Sequence, residues 1–248
     1  MFLNRAVEIR WQGQSHCSGL LIRPNQVLTA AHCLKDVRGK KAAVFQRALD
    51  LRINGRSIKS GVVQAYDSGE FNYEEKRPAN AIGDLAVLLI GSFTPVPMAF
   101  AIEAFSENES ERYLTFGFGP NPDLSKSRAT GDLFEMNVTE MTFEPGIGPA
   151  PLLIVKNGPV GQGMTCHGDS GSPLMKLSSD HLALIGVLSG SMADITDAPP
   201  TPKNLNRQIK RRFICSTEVG INFFTPAEDY RDFINDPPRY GQRIEFKK

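Results

Sequence analysis

The sequence predicts an all-β protein, a sandwich or a barrel, and three observations carry that prediction. Apolar runs are short and frequent, turn residues separate them, and a single stretch has the signature of a helix start. The chain has 248 residues, enough for one large domain or two of about 120 residues each. Its 22 glycines and 17 prolines exceed what a helical bundle tolerates, because both residues interrupt helices.

Candidate strands fall at residues 6–11, 18–22, 26–29, 42–45, 51–53, 85–90, 113–118, 133–142, 152–156, 173–177, 182–188 and 220–224. The clusters Asn54-Gly55, Asp67-Ser-Gly69, Pro95-Val-Pro97 and Asn157-Gly-Pro159 punctuate them. Strands of this length and spacing pack as sandwiches or barrels. The longest apolar run, Leu85-Ala-Val-Leu-Leu-Ile90, is of strand length. At Thr225-Pro226-Ala-Glu228 a Thr stands at the N-cap position, a Pro at the first helical position and a Glu at the third. The Thr oxygen can accept from an open backbone N–H and the Glu can return the bond. This helix is expected to run to about Asn235, before Pro237-Pro238.

Basic and acidic residues nearly cancel, 28 against 27, for a formal charge of +1. That excludes a whole-molecule pull toward nucleic acid or an anionic membrane. No stretch approaches the roughly 18 apolar residues that span a bilayer. The start, Met1-Phe-Leu-Asn-Arg5, lacks the apolar core of a signal peptide, which leaves a cytoplasmic chain or a mature chain with an added Met. Residues 71–80 and 194–212 read as surface insertions. The second carries Lys203, Arg207, Lys210, Arg211 and Arg212, a solvated face by default, with 207–212 also a candidate processing site in an exposed loop. Asn108-Glu-Ser and Asn137-Val-Thr match glycosylation triplets. Four cysteines allow two disulfides in three connectivities.

Three sites carry candidate chemistry. The first is Leu28-Thr-Ala-Ala-His32-Cys33, because His transfers protons near neutral pH. Taken alone, such a His is more often structural. The second is Gly83-Asp84-Leu-Ala-Val-Leu-Leu-Ile90. An acid entering a wholly apolar strand is buried and needs a partner, and a His suits it; alone, it reads as a turn Asp. The third is Cys166-His-Gly-Asp-Ser170-Gly-Ser-Pro173. Glycines on either side of a Ser permit a tight, exposed bend, and successive N–H groups in such a bend converge on an anion. Acyl transfer needs that combination of nucleophile and oxyanion donors.

Together, Thr29-Ala-Ala-His32-Cys33, Asp84-Leu-Ala-Val-Leu and Gly168-Asp-Ser170-Gly, in the order His, Asp, Ser, resemble the chymotrypsin-like (trypsin-fold) serine proteases. Cys17-Ser-Gly-Leu-Leu-Ile22, Gly117-Phe-Gly119, Ile185-Gly-Val-Leu-Ser-Gly190 and Val219-Gly-Ile-Asn-Phe-Phe-Thr225 agree with the family's other landmarks. The resemblance covers about residues 6–234. It implies two six-stranded antiparallel β-barrels with a short C-terminal α-helix, residues 1–98 forming the first barrel and 99–248 the second with the helix. It implies Ser170 as nucleophile, His32 as base then acid, and Asp84 as the group that orients the ring. The N–H groups of Gly168 and Ser170 would form the oxyanion hole. Ser189 would lie beside Asp84 and pair with substrate backbone. Cys17 would pair with Cys33 and Cys166 with Cys215, implying a secreted or periplasmic home. The partner classes are a polypeptide substrate and a proteinaceous inhibitor, with a monomer as the working unit. No cofactor or metal is implied.

Two features depart from the family pattern. Its activation places a new amino terminus on the Asp before the nucleophile, here Asp169, and no Ile-Val-Gly-Gly-like motif precedes Cys17. The group that meets Asp169 is thus left open. Met164 stands where trypsin-like enzymes carry an Asp at the pocket base. With Thr165, Gly190, Ser191 and Gly220 around it, it argues against cleavage after Lys or Arg and for an uncharged, small-to-medium apolar side chain. His167 reads as a bystander near the pocket mouth. Gly-x-Ser-x-Gly with a distant later His, the α/β-hydrolase pattern, is absent: Ser172 replaces the last Gly and His181 follows too closely. The pairs His16-Cys17, His32-Cys33 and Cys166-His167 lack the spacing of zinc ligands. The alternative from another class is a zymogen or a non-catalytic protease-fold binding module.

Overall fold

The computed structural model describes residues 2–35, 49–58, 62–72, 83–91, 100–105, 112–119, 132–136, 138–144, 152–157, 165, 168–178, 181–193 and 220–245. Sixteen strands follow one another among them. The first seven are β1 (Ala6–Trp11), β2 (Gln14–Arg23), β3 (Gln26–Thr29), β4 (Leu49–Ile53), β5 (Arg56–Ser57), β6 (Val62–Asp67) and β7 (Ala86–Ile90). Next come β8 (Ala101–Ile102), β9 (Arg112–Gly117), β10 (Asp132–Met136), β11 (Val138–Glu144), β12 (Leu152–Asn157), β13 (Pro173–Leu177), β14 (Leu182–Ala193) and β15 (Gly220–Pro226). Two short helices, α1 (Arg231–Asn235) and α2 (Pro237–Tyr240), precede β16 (Gln242–Arg243).

These strands form two sheets. The first runs β16-β6-β7-β3-β2-β1-β4-β5. Its six main strands are antiparallel neighbours, with two-residue strands at both ends. The second runs β10-β9-β13-β14-β15-β12-β11, with β8 added parallel to β14. The predicted single strand over 133–142 is β10 and β11, one residue apart. β10 pairs with β9 and β11 with β12, so the two ends of this sheet come from neighbouring stretches of chain, as in a closed six-stranded barrel.

Side-chain alternation explains how the sheets pack. In β2, Cys17 and Leu21 enter one buried cluster while Leu20 and Ile22 enter another. In β7, Ala86, Leu88 and Ile90 point into the first cluster, and Val87 joins the second with Leu85. The first cluster is the interior of the first sheet. The second also takes Phe116, Phe118, Met175, Leu184 and Val187 from the other sheet, so it is the layer between them. A third, with Leu153, Leu174, Ile185, Leu188 and Phe224, fills the second barrel. The run from Leu85 is therefore apolar at every position because both faces of its strand are covered.

Segment 100–105 joins the sheets. Glu103 receives Lys176 Nζ at 2.7 Å and His181 Nε2 at 2.5 Å. The neighbouring Phe100 lies under the buried Arg5 guanidinium, 4.9 Å from its ring centre.

The chain end departs from the expected capping box. Thr225 and Pro226 belong to β15, a 3₁₀ turn covers Glu228–Tyr230, and Ala227 starts it with no side-chain cap. Pairing with β14 extends the strand, Val187 opposite Thr225 and Gly186 opposite Pro226, and this ladder outweighs the local helix signal. The helix does end at Asn235, but Pro237-Pro238 opens α2 rather than ending structure, since Pro suits the first helical turn. The tail then returns to the first sheet. β16 pairs with β6, Ile244 N–H donates to the Ala65 carbonyl at 2.9 Å, and Ile244 is buried in the first core. Sequence signals for β5, β6, β8 and β16 were missed; three of them are only two residues long. The 42–45 candidate, most of the 71–80 insertion, the whole 194–212 insertion, the Asn108 triplet and Asn137 itself lie outside the described residues.

Replacing Ile244 by Ala removes a buried anchor of the tail. We expect a loss of about 2 kcal/mol in urea-unfolding free energy, the low end of the Ile→Ala range because a chain terminus can collapse onto the gap.

Candidate active site

His32 lies in a 3₁₀ turn, Ala31–Leu34, that directly follows β3. Asp84 lies two residues before β7. Thr29 at the end of β3 pairs with Ala86 at the start of β7, so the two residues emerge at the same sheet edge. Asp84 is fully buried. Its Oδ1 accepts the His32 backbone N–H at 2.8 Å, and its Oδ2 accepts from His32 Nδ1 at 2.7 Å. Ser189 Oγ from β14 donates to the same Oδ2. A carboxylate only accepts, so Nδ1 carries a proton, and in the neutral ring this leaves the lone pair on Nε2.

Burial opposes the charge on Asp84. The His32 charge, its ring hydrogen bond, the Ser189 hydroxyl and the His32 N–H outweigh that burial and hold the carboxyl below its ordinary value.

The turn before Asp84 is also held. Gly83 has φ +62°, the left-handed region where a side chain is costly. Its carbonyl accepts from Ser68 Oγ at 2.6 Å, and Ser68 N–H donates to the Leu85 carbonyl at 3.1 Å. A Cβ on Gly83 would meet Ser68 Oγ at 2.8 Å, so glycine is required twice over.

Ser170 sits in a tight turn before β13. Ser172 N–H closes it on the Asp169 carbonyl at 2.9 Å. Gly168 has φ +100° and Gly171 φ +86°. A Cβ on Gly171 would overlap the Ser18 carbonyl and Thr29 Oγ1, so the serine turn presses directly on β2 and β3. Ser18 N–H donates to the Ser170 carbonyl at 2.8 Å, and Gly171 N–H to the Leu188 carbonyl at 2.8 Å. Cys33 Sγ lies 3.9 Å from His32 Nε2 and 3.7 Å from the Ser170 carbonyl. The ring and the serine thus share one neighbour. Among the described residues, Ser170 Oγ is not hydrogen-bonded to His32 Nε2, and neither Gly168 N–H nor Ser170 N–H has an acceptor.

Asp169 is buried, and Gly119 N–H donates to its Oδ1 at 2.7 Å. A Cβ on Gly117 would overlap this carboxylate. The question the sequence left open is answered in part by backbone: the Gly117-Phe-Gly119 segment lies against Asp169 and supplies an N–H.

Thr165 is buried, and its Oγ1 donates to Asn222 Oδ1 on β15. Ser191 Oγ donates to the Thr165 carbonyl at 3.3 Å, and Ser191 stands opposite Asn222 in the β14–β15 ladder. Gly190 and Gly220 lie on the same two strands. Met164, Cys166, His167 and Cys215 lie outside the described residues. Sequence reasoning missed Asn222 and Ser18. The available signal was a polar residue interrupting an apolar strand, Gly-Ile-Asn222-Phe-Phe and Cys-Ser18-Gly-Leu-Leu.

Cys17 and Cys33 form a disulfide, one of the two pairings that the resemblance implied. Closing a loop of this length stabilises by about 3 kcal/mol on the chain-entropy account. Cys17, His32 and Cys33 bring their ligand atoms within 4.8 Å of one another. The two sulfurs are bonded to each other, so they are not thiolates and hold no metal in this state.

Two facing β-barrel sheets, with a His–Asp pair on one and a glycine-flanked Ser on the other, define the trypsin fold. The family described as Trypsin matches residues 4–203, and the chain belongs to that family of chymotrypsin-like serine proteases. Among the described residues, no helix is long and apolar enough to cross a membrane.

The shift of Asp84 sets a sign for the pH dependence of stability. A carboxyl held below its ordinary value contributes in full above about pH 4 and loses that contribution as pH falls through the lowered value. Asp84→Ala is expected to cost about 1.5–3 kcal/mol at pH 7. The gap from wild type in urea unfolding should narrow as pH drops through the carboxylate range; a gap that widens on acidification contradicts the assignment.

Proposed function

We propose that the protein is a serine endopeptidase that cleaves peptide bonds through an acyl-enzyme. The observation that carries this reading is the His32–Asp84–Ser189 hydrogen-bonded set beside a serine turn whose N–H groups at Gly168 and Ser170 have no acceptor among the described residues. Ser170 Oγ attacks the substrate carbonyl carbon as its proton passes to His32 Nε2. The carbonyl oxygen takes the negative charge and is met by the Gly168 and Ser170 N–H groups. Collapse of the adduct breaks the C–N bond, and the amine leaves with the proton from Nε2. Water then repeats the sequence on the ester and frees Ser170. Asp84 keeps the ring in the tautomer that presents Nε2 and stabilises its cation. The Ser170–His32 hydrogen bond is one that tightens when substrate fills the site.

Residues 1–98 supply His32 and Asp84, residues 99–248 supply Ser170 and the pocket, and substrate lies between them. Met164, Thr165, Ser191 and Gly220 favour an uncharged side chain before the scissile bond. Ser189 and Gly190 receive substrate backbone. The disulfide between Cys17 and Cys33 supports an oxidising compartment, hence a secreted or periplasmic protein. A proteinaceous inhibitor is the natural second partner of such a cleft.

A fluorophosphonate probe tests this on the whole chain. The expected result is covalent labelling that Ser170→Ala abolishes and His32→Ala slows by at least about 10³-fold. A wild-type chain that stays unlabelled favours a zymogen or a binding module. Labelling that appears only after proteolytic processing identifies the zymogen.

A further inference from the structure

Ser18 is wholly buried in β2, and it is bonded at every polar atom. Its Oγ donates to the Gly168 carbonyl at 2.9 Å and accepts the Phe118 N–H at 3.1 Å. Its N–H donates to the Ser170 carbonyl at 2.8 Å, and its carbonyl accepts from Thr29 Oγ1 at 2.7 Å. The residue after Phe118, Gly119, donates to the Asp169 carboxylate at 2.7 Å. The hydroxyl of Ser18 therefore closes a ring that runs through Gly168, Asp169, Gly119 and Phe118.

That ring meets the turn at its least constrained point. Gly168 has φ +100° and no side chain to limit its backbone, so a wide range of orientations is open to it. Its N–H points usefully only if the peptide planes on both sides are fixed. Ser18 fixes the plane that follows Gly168, where its hydroxyl holds the Gly168 carbonyl, and the plane that follows Ser170, where its backbone N–H holds the Ser170 carbonyl. Both bonds originate in the sheet that carries His32, so the alignment of the serine turn is tied to the base across the cleft.

We propose that Ser18 is a positioning residue for the oxyanion hole. Its hydroxyl fixes the peptide that follows Gly168, which limits the directions open to the Gly168 N–H, and holds the Gly117–Gly119 segment in register with the turn. This inference rests on the reading of Ser170 as nucleophile. Ser18 itself touches neither substrate nor the transferred proton. Removing its hydroxyl leaves the His32–Asp84 pair intact and loosens only the donors that meet the developing negative charge.

The test measures the second-order rate of fluorophosphonate labelling at Ser170 from pH 5 to about 9, since the phosphonyl oxygen occupies the oxyanion position. Wild type, Ser18→Ala, Ser18→Gly and Ser18→Thr are compared. Each rate is divided by the folded fraction from near-UV circular dichroism at the assay temperature. Ser18→Ala and Ser18→Gly are expected to label about 10–100-fold more slowly with the midpoint of the pH–rate curve unchanged. Ser18→Thr, which keeps the hydroxyl, is expected to recover most of the rate. Labelling of a folded Ala or Gly variant within about two-fold of wild type overturns the inference. So does a slowed variant whose midpoint moves, because the effect would then run through the His32–Asp84 pair. Failure of both variants to fold at any temperature assigns the hydroxyl to folding and also overturns it. If wild type itself is unlabelled, the endopeptidase reading fails first and this inference falls with it; labelled wild type with an unaffected Ser18→Ala sinks this inference alone.

Discussion

A carboxylate shut away from water is the constraint on which the rest of the structure depends. Asp84 is fully buried, and an isolated charge there would cost several kcal/mol. Three donors meet it: the His32 N–H, the His32 ring and the Ser189 hydroxyl. The first two require the turn after β3 to sit against the residue preceding β7, which the Thr29–Ala86 pairing provides. The third comes from the other sheet. Satisfying one charge thus fixes the register of two strands and docks a third across the interface.

The serine turn poses the opposite problem, because close approach rather than charge governs it. Gly171 lies where any side chain would collide with the Ser18 carbonyl and Thr29 Oγ1, and Gly117 where it would collide with Asp169. These glycines let one sheet press its turn against the strands that lead to His32. Their conformational cost is offset by backbone hydrogen bonds on both sides: Ser18 to Ser170, Gly171 to Leu188, and Leu188 to Ser172.

Much of this was legible in the sequence where local pattern and local structure agree. β3 and β13 begin and end at the residues the apolar pattern marked. The apolar run after Asp84 signalled a strand that buries the acid entering it, and the His, Asp and Ser sites stood out by residue type and order. What was not legible depends on partners distant in the chain. Thr225-Pro226-Ala-Glu228 satisfies every local rule for a helix start, yet the ladder with β14 takes Thr225 and Pro226 into a strand. β16 has two residues and no pattern of its own; it exists because β6 offers an edge and Ile244 finds a buried place. Ser18 looked like a small residue beside a cysteine, because its four hydrogen-bonding partners lie between 11 and 152 positions away.

Ser189 coincides with a defect in its own strand. Along the β14–β15 ladder, Leu188 pairs with Phe224 and Gly190 with Phe223, so Ser189 is the extra residue of a bulge. A bulge breaks the alternation of side chains and turns one of them off the sheet's regular faces. Ser189 comes two residues after Val187, which faces the layer between the sheets, while Leu188 between them faces the barrel interior. From that face its hydroxyl reaches Asp84 across the interface. The bulge leaves its backbone outside the β14–β15 pairing. It also returns Ser191 to a paired position opposite Asn222, where its hydroxyl reaches the Thr165 carbonyl. One inserted residue therefore separates the strand into two working parts. The part before it packs the core and anchors the serine turn through Leu188, and the part after it builds the wall beside Thr165. The glycine at 190 is the trace of this that the sequence carries, since a residue without a side chain makes the sharper bend inexpensive.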